Sequence, residues 1–155
     1  MKKTLFITAI LIAALAVPAL AVVGKTPMAF TDSEYAKALD LKVNMSKPDL
    51  VAYVGSGKEL VVLKTKKEVV WYERLTWLSK SMPQDPEVIK KAYIAFVAQA
   101  AEIAPGTEEY NQLSQTLQPA DAEFMLKNRF VVRIKNEDAN GSTKHYIEVY
   151  EKSQN

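Results

Sequence analysis

Apolar positions in the middle of the chain recur with a helical period. Trp71, Leu75, Leu78 and Met82 are spaced four, three and four apart, and Thr65-Lys66-Lys67-Glu68 before them has the form of a capping box. This pattern predicts a helix over about 66–82. Val69, Val70, Trp71 and Tyr72 are also good strand formers, so a strand over 68–78 competes; the capping box and the stripe favour the helix. The segment Met82-Pro83-Gln84-Asp85-Pro86 breaks the chain, with Asp85 suited to an N-cap and Pro86 to the first helical position. Ile89, Tyr93, Phe96, Ala100 and Ile103 then mark a second helix over about 86–103, flanked by Ala92 and Val97, with Lys91, Ala98 and Glu102 opposite.

Alternation replaces this period on either side. Leu50, Ala52 and Val54 alternate with Val51 and Tyr53, and after Gly55-Ser56-Gly57-Lys58 comes the run Leu60-Val61-Val62-Leu63. These read as a hairpin over about 49–64 whose second strand is covered on both faces. Near the C-terminus, Phe130, Val132 and Ile134 alternate with Val131, Arg133 and Lys135, and Ile147 and Val149 with Tyr146, Glu148 and Tyr150. A second hairpin over about 129–150 follows, with 136–142 as its loop because Glu137 and Asp138 lengthen the Asn140-Gly141 turn.

Shorter elements fill the gaps. Thr31-Asp32-Ser33-Glu34 opens a short helix to Leu41, after a mobile or docking segment from Val22 to Phe30, and 42–48 is polar and turn-like. Thr107 caps a helix over about 108–117, and Pro119 starts another turn or two through Leu126. The fold class is α+β: an antiparallel sheet from the two hairpins, packed against the helices at 66–82, 86–103 and 108–117.

The N-terminus changes the picture of charge. Lys2 and Lys3 precede an apolar run from Leu5 to Val17 and the small-residue site Ala19-Leu20-Ala21, the form of a secretory signal peptide cut after Ala21. The rival reading is an uncleaved anchor, since the uncharged stretch from Thr4 to Gly24 is about 20 residues, enough to span a bilayer. Residues 1–21 are thus a leader of bacterial style and 22–155 a single globular domain. Cleavage removes two lysines and no carboxylate, so the formal charge of +2 falls to zero. With it goes the electrostatic case for nucleic acid.

Candidate chemistry is sparse. The chain has no Cys and one His, which leaves no disulfide framework, no thiolate nucleophile and no expected metal or cofactor. His145 and Ser142 are an odd number of positions apart, and on one strand they would point to opposite faces. Glu108 and Glu109 open a helix, where they favour its dipole rather than form a catalytic pair. Gly24-Lys25-Thr26 resembles the end of a P-loop but lacks the first Gly and the preceding strand. Asn44-Met45-Ser46 and Asn140-Gly141-Ser142 match a glycosylation sequon, which means little behind a bacterial leader.

What remains is surface. Arg133, Lys135, Tyr146 and Tyr150 fall on the outward face of the last hairpin, a combination of cations and aromatics that binds anionic polymers, glycans or proteins. Val70 and Trp77 share a second apolar side of the first helix, which implies burial on two sides or a docking surface. The expected function is an exported, non-enzymatic binding protein of a bacterial envelope or its exterior, with a protein or envelope polymer as partner. The alternatives are a membrane-anchored subunit of an envelope assembly and a small hydrolase with a scattered site.

Overall fold

A computed structural model describes residues 23–78, 80 and 85–152. Met82 and the cleavage site expected after Ala21 lie outside these residues. The elements run α1 (Pro27–Thr31), α2 (Glu34–Ala38), β1 (Lys42–Lys47), β2 (Leu50–Val54), β3 (Leu60–Lys66), β4 (Val69–Leu78), α3 (Pro86–Ala100), α4 (Glu108–Thr116), β5 (Ala122–Leu126), β6 (Phe130–Ala139) and β7 (Ser142–Glu151). The class is α+β, and the strands form one sheet in the order β1-β2-β3-β4-β7-β6-β5, antiparallel throughout.

The helix expected over 66–82 is a strand. Lys67 and Glu68 both have positive φ, 52° and 64°, and make a two-residue hairpin turn between β3 and β4. The Thr65 hydroxyl caps no helix; it donates to the Pro48 carbonyl at 2.9 Å. The apparent stripe divides accordingly: Leu75 is fully buried, while Trp71 and Leu78 are exposed. The strand's own period shows in Glu73, Leu75 and Trp77 on the inner face and Tyr72, Arg74 and Thr76 on the outer one. Trp71 is the extra residue where β3 and β4 shift register between Lys64 and Thr65.

Three more expectations are corrected. The polar segment 42–48 is edge strand β1, whose six residues are all exposed, so no apolar alternation was needed to form it. The turns after Pro119 are edge strand β5, which sends Phe124 and Leu126 against the core. The loop 136–142 shrinks to Asn140-Gly141, both at positive φ, with Ala139 paired to Ser142.

The helices seat on the inner face. Trp77 of β4 stacks on Tyr93 of α3 at 5.9 Å, Phe96 of α3 meets Tyr35 of α2 at 6.0 Å, and Phe30 of α1 meets Tyr53 of β2 at 5.0 Å. Asp85 caps α3, accepting from the Glu87 N–H at 2.9 Å. Every residue from Ala92 to Ala100 is buried, Ala98 included, so α3 runs through the core rather than along its edge. The segment from Val23 to Lys25 is docked: Val23 is buried, the Gly24 N–H donates to the Val70 carbonyl at 2.7 Å, and the Val70 N–H donates to the Lys25 carbonyl at 2.8 Å.

Candidate interaction face

Register places the outer-face side chains in rows across the sheet. One row runs Met45, Ala52, Val62, Arg74, Glu148, Arg133, Glu123 from β1 to β5. Its first three members are apolar, and its last four alternate in charge. The flanking rows bring Lys64, Tyr72 and Tyr150 together on one side, and Thr76, Tyr146 and Lys135 on the other. Opposite charges directly across strands are the favourable arrangement for an antiparallel pair.

Glu148 is the hub. It is buried, accepts the Tyr72 hydroxyl, and lies 3.8 Å from Arg74 and 3.7 Å from Arg133. Arg133 also bonds Glu123 at 2.6 Å and donates to the Tyr150 hydroxyl at 3.0 Å. The bond to Glu123 is the main reason its guanidinium holds its proton more tightly than usual. Arg74 lies over the Tyr146 ring and Arg133 over the Tyr150 ring, each at 5.6 Å. Tyr146 donates to Glu137 at 2.7 Å, and burial first, then that bond, pushes its hydroxyl up to about 12. Burial, followed by the bond to Glu148, raises Tyr72 as well.

The four residues singled out in the sequence therefore share one face: Arg133, Tyr150 and, through Arg74, Tyr146 are joined around Glu148, while Lys135 is held separately beside them. Arg133, Lys135 and Tyr150 are half-buried and Tyr146 is buried. Lys135 is held by Asp121 at 3.3 Å. Asp121 is kept more acidic than usual, chiefly by the Asn136 side chain that bonds it at 2.7 Å. His145 sits on the inner side of the same hairpin with Nδ1 2.5 Å from the Asn136 side-chain Oδ1, and burial makes it a weaker base.

Sequence reasoning missed Tyr72, Arg74, Glu148, Lys64 and Trp71. The first two were hidden by the helical assignment of β4. Trp71 is exposed and leans on Tyr72 at 5.7 Å, and Tyr72 stacks on Tyr150 at 6.2 Å, a continuous aromatic run. The Lys64 ammonium covers Tyr72 at 4.6 Å and reaches Trp71 at 5.9 Å. The alternation of Tyr72, Arg74 and Thr76 was the available signal.

A second group of acids lies inside. Glu59 and Glu73 are completely enclosed, and no carboxyl oxygen of either has a hydrogen-bond partner among the described residues. Burial lifts Glu59 to about 7, opposed by the nearby backbone N–H groups of Glu59 itself and Gly57, and holds Glu73 well above the usual carboxyl range. Tyr35 is raised by its own burial first and then by both acids. A side chain at Gly55 would collide with the Glu59 carboxyl, its Cβ falling 1.9 Å from Oε1.

Among the described residues no group of acidic, His or Cys side chains is placed to hold a metal ion, and no helix is long and apolar enough to cross a membrane. Compared with protein-family models, with curated proteins and with solved structures, the chain matches none.

Proposed function

We propose that this chain is an exported, non-enzymatic interaction protein of a bacterial envelope or its exterior, freed from its leader after Ala21. It works through the outer sheet face. The observation that carries this reading is the network around Glu148, in which every cation and ring is already held by a neighbour. Groups fixed in this way lose little freedom when a partner arrives. The cations of the network have carboxylate partners, so the face suits a partner of mixed polarity, a protein or an envelope polymer, rather than a polyanion.

One observation favours a second reading, a membrane-anchored subunit with the leader retained. Val23 to Lys25 is stitched to β4 immediately after the leader, so a retained anchor would hold the domain close to the bilayer. N-terminal sequencing of the protein from fractionated cells separates the two: Val22 first means release, Met1 first means an anchor. Co-purification of envelope components with the wild-type chain and with Lys135→Glu tests the face itself. The variant is expected to stay folded and to lose at least three-quarters of the partner, and undiminished recovery would refute the assignment.

A further inference from the structure

The two ends of the sheet differ in charge. One end carries the β1–β2 turn, the β3–β4 turn, the β5–β6 turn and the end of β7. Lys47, Lys64, Lys66, Lys67, Lys127 and Lys152 gather there, and none has a carboxylate within ion-pairing distance among the described residues. The other cations at this end, Lys25 and Arg129, are paired with Glu102 at 3.7 Å and Glu151 at 2.6 Å. Asp49 and Glu68 are its remaining acids. At the opposite end Lys42, Lys135 and Lys144 each have a carboxylate, Asp40, Asp121 and Glu137, while Lys58 of the β2–β3 turn has none among the described residues. The overall charge conceals this, because the excess is local.

Two exposed apolar side chains sit within the basic end. Val69 is 41% exposed and Trp71 38%. Both lie at the start of β4, just after the exposed β3–β4 turn. Lysines around an exposed Trp at a sheet end match a planar anionic surface, where the ring settles among headgroups and the ammoniums meet phosphates. A chain-like polyanion is usually gripped in a groove and by the forked guanidinium of Arg; the arginines at or near this face are already engaged, Arg74 and Arg133 by Glu148 and Arg129 by Glu151.

Chain geometry points the same way. The polypeptide leaves the apolar run Leu5–Val17 and enters the fold at this end, through the two backbone bonds between Gly24, Lys25 and Val70. From Val17 to Val23 the chain can span at most about 20 Å. A leader still in the membrane would therefore bring this end, and no other, to the bilayer surface.

We propose that the basic end of the sheet docks on an anionic bilayer, with Trp71 and Val69 entering the headgroup layer and the unpaired lysines supplying the counter-charge. This surface adjoins the outer-face network, which it meets at Trp71 and Lys64, and the docking holds whether the leader is kept or removed.

The chain contains two tryptophans, and Trp77 is 1% exposed, so it serves as an internal control. Full-length protein is mixed with vesicles of phosphatidylcholine alone or with phosphatidylglycerol added, and Trp emission is followed. Trp71→Phe assigns the response. The expected result is a blue shift of Trp71 with the anionic vesicles, absent with neutral ones, and reversed by high salt. Lys66→Glu with Lys67→Glu should weaken the response, each lysine lost costing roughly fivefold in affinity. The salt titration of the wild-type chain stands whatever that variant does. No shift of Trp71 with anionic vesicles overturns the proposal, as does an equal shift with neutral ones. Soluble polyphosphate binding in place of vesicles would also overturn it and make this end a polyanion site.

Discussion

Glu73 and Glu148 lie almost side by side in the sheet, since Glu148 pairs with Arg74, the next residue after Glu73. Parity sends one carboxyl inward and the other outward, and their fates are opposite. Glu148 meets a tyrosine hydroxyl and two guanidiniums. Glu73 is enclosed in the core, and its carboxyl has no hydrogen-bond partner among the described residues. The lesson is that burial alone does not set the role of a carboxyl here. On the outer face the strand register supplies compensating charge; on the inner face nothing does, and the acid keeps its proton.

The sharpest way to break this comparison is to make one substitution at both places. Glu148→Met should destabilise the fold by about 3 kcal/mol, because it strands Arg74 and the Tyr72 hydroxyl and removes one of the two carboxylates that hold Arg133. Glu73→Met should stabilise it by about 2 kcal/mol at neutral pH, because it removes an unsatisfied acid and keeps the volume. Chemical denaturation of the two variants measures both. Equal losses would show that the two glutamates are equivalent and that the register account is wrong.

The inner acids also set a direction for pH. Glu59 starts near 4.5 when unfolded and near 7 when folded, so the folded state holds the extra proton between those values. Stability is then full below about pH 4.5 and falls by about 3 kcal/mol as pH rises to about 7, where this contribution levels off. Glu73 acts in the same direction. Denaturation midpoints from pH 5 to pH 8 should fall for the wild type and fall less for Glu59→Gln. A midpoint that rises with pH across this range would contradict the enclosed, protonated Glu59.

These same residues explain what the sequence concealed. The second hairpin was legible because Phe130, Val132, Ile134, Ile147 and Val149 alternate with polar neighbours, and α3 because Asp85-Pro86 announces its start. Strand β4 was not, because an acid stands where its inner face should read apolar. With Glu73 counted as polar, the surviving apolar positions mimic a helical stripe. Edge strand β1 was missed because an exposed edge needs little apolar alternation; β5 does alternate, Phe124 and Leu126 against Glu123 and Met125, but it has only five residues and follows a proline that reads as a helix start. Of the outer face, the half on the last hairpin was read correctly in its direction. The half on β4 waited for that strand to be placed, and the bond pattern around Glu148 depends on pairing between segments far apart in the chain.

A smaller effect sharpens the strand assignment itself. Lys67 and Glu68 hold left-handed backbone angles that neither residue favours. Replacing them by Asn and Gly suits a two-residue hairpin turn and should add about 1 kcal/mol. A loss of stability in that double variant, read from the thermal midpoint, would speak for a helical start at this position and against the turn.

The central claim is that the outer sheet face meets the partner. A photo-crosslinking residue placed at Lys135 on that face, and separately at Lys91 on the exposed side of α3, tests it in intact cells. The account predicts a discrete adduct from position 135 and none from position 91. An adduct from position 91 alone would contradict it and move the contact to the helical side of the molecule.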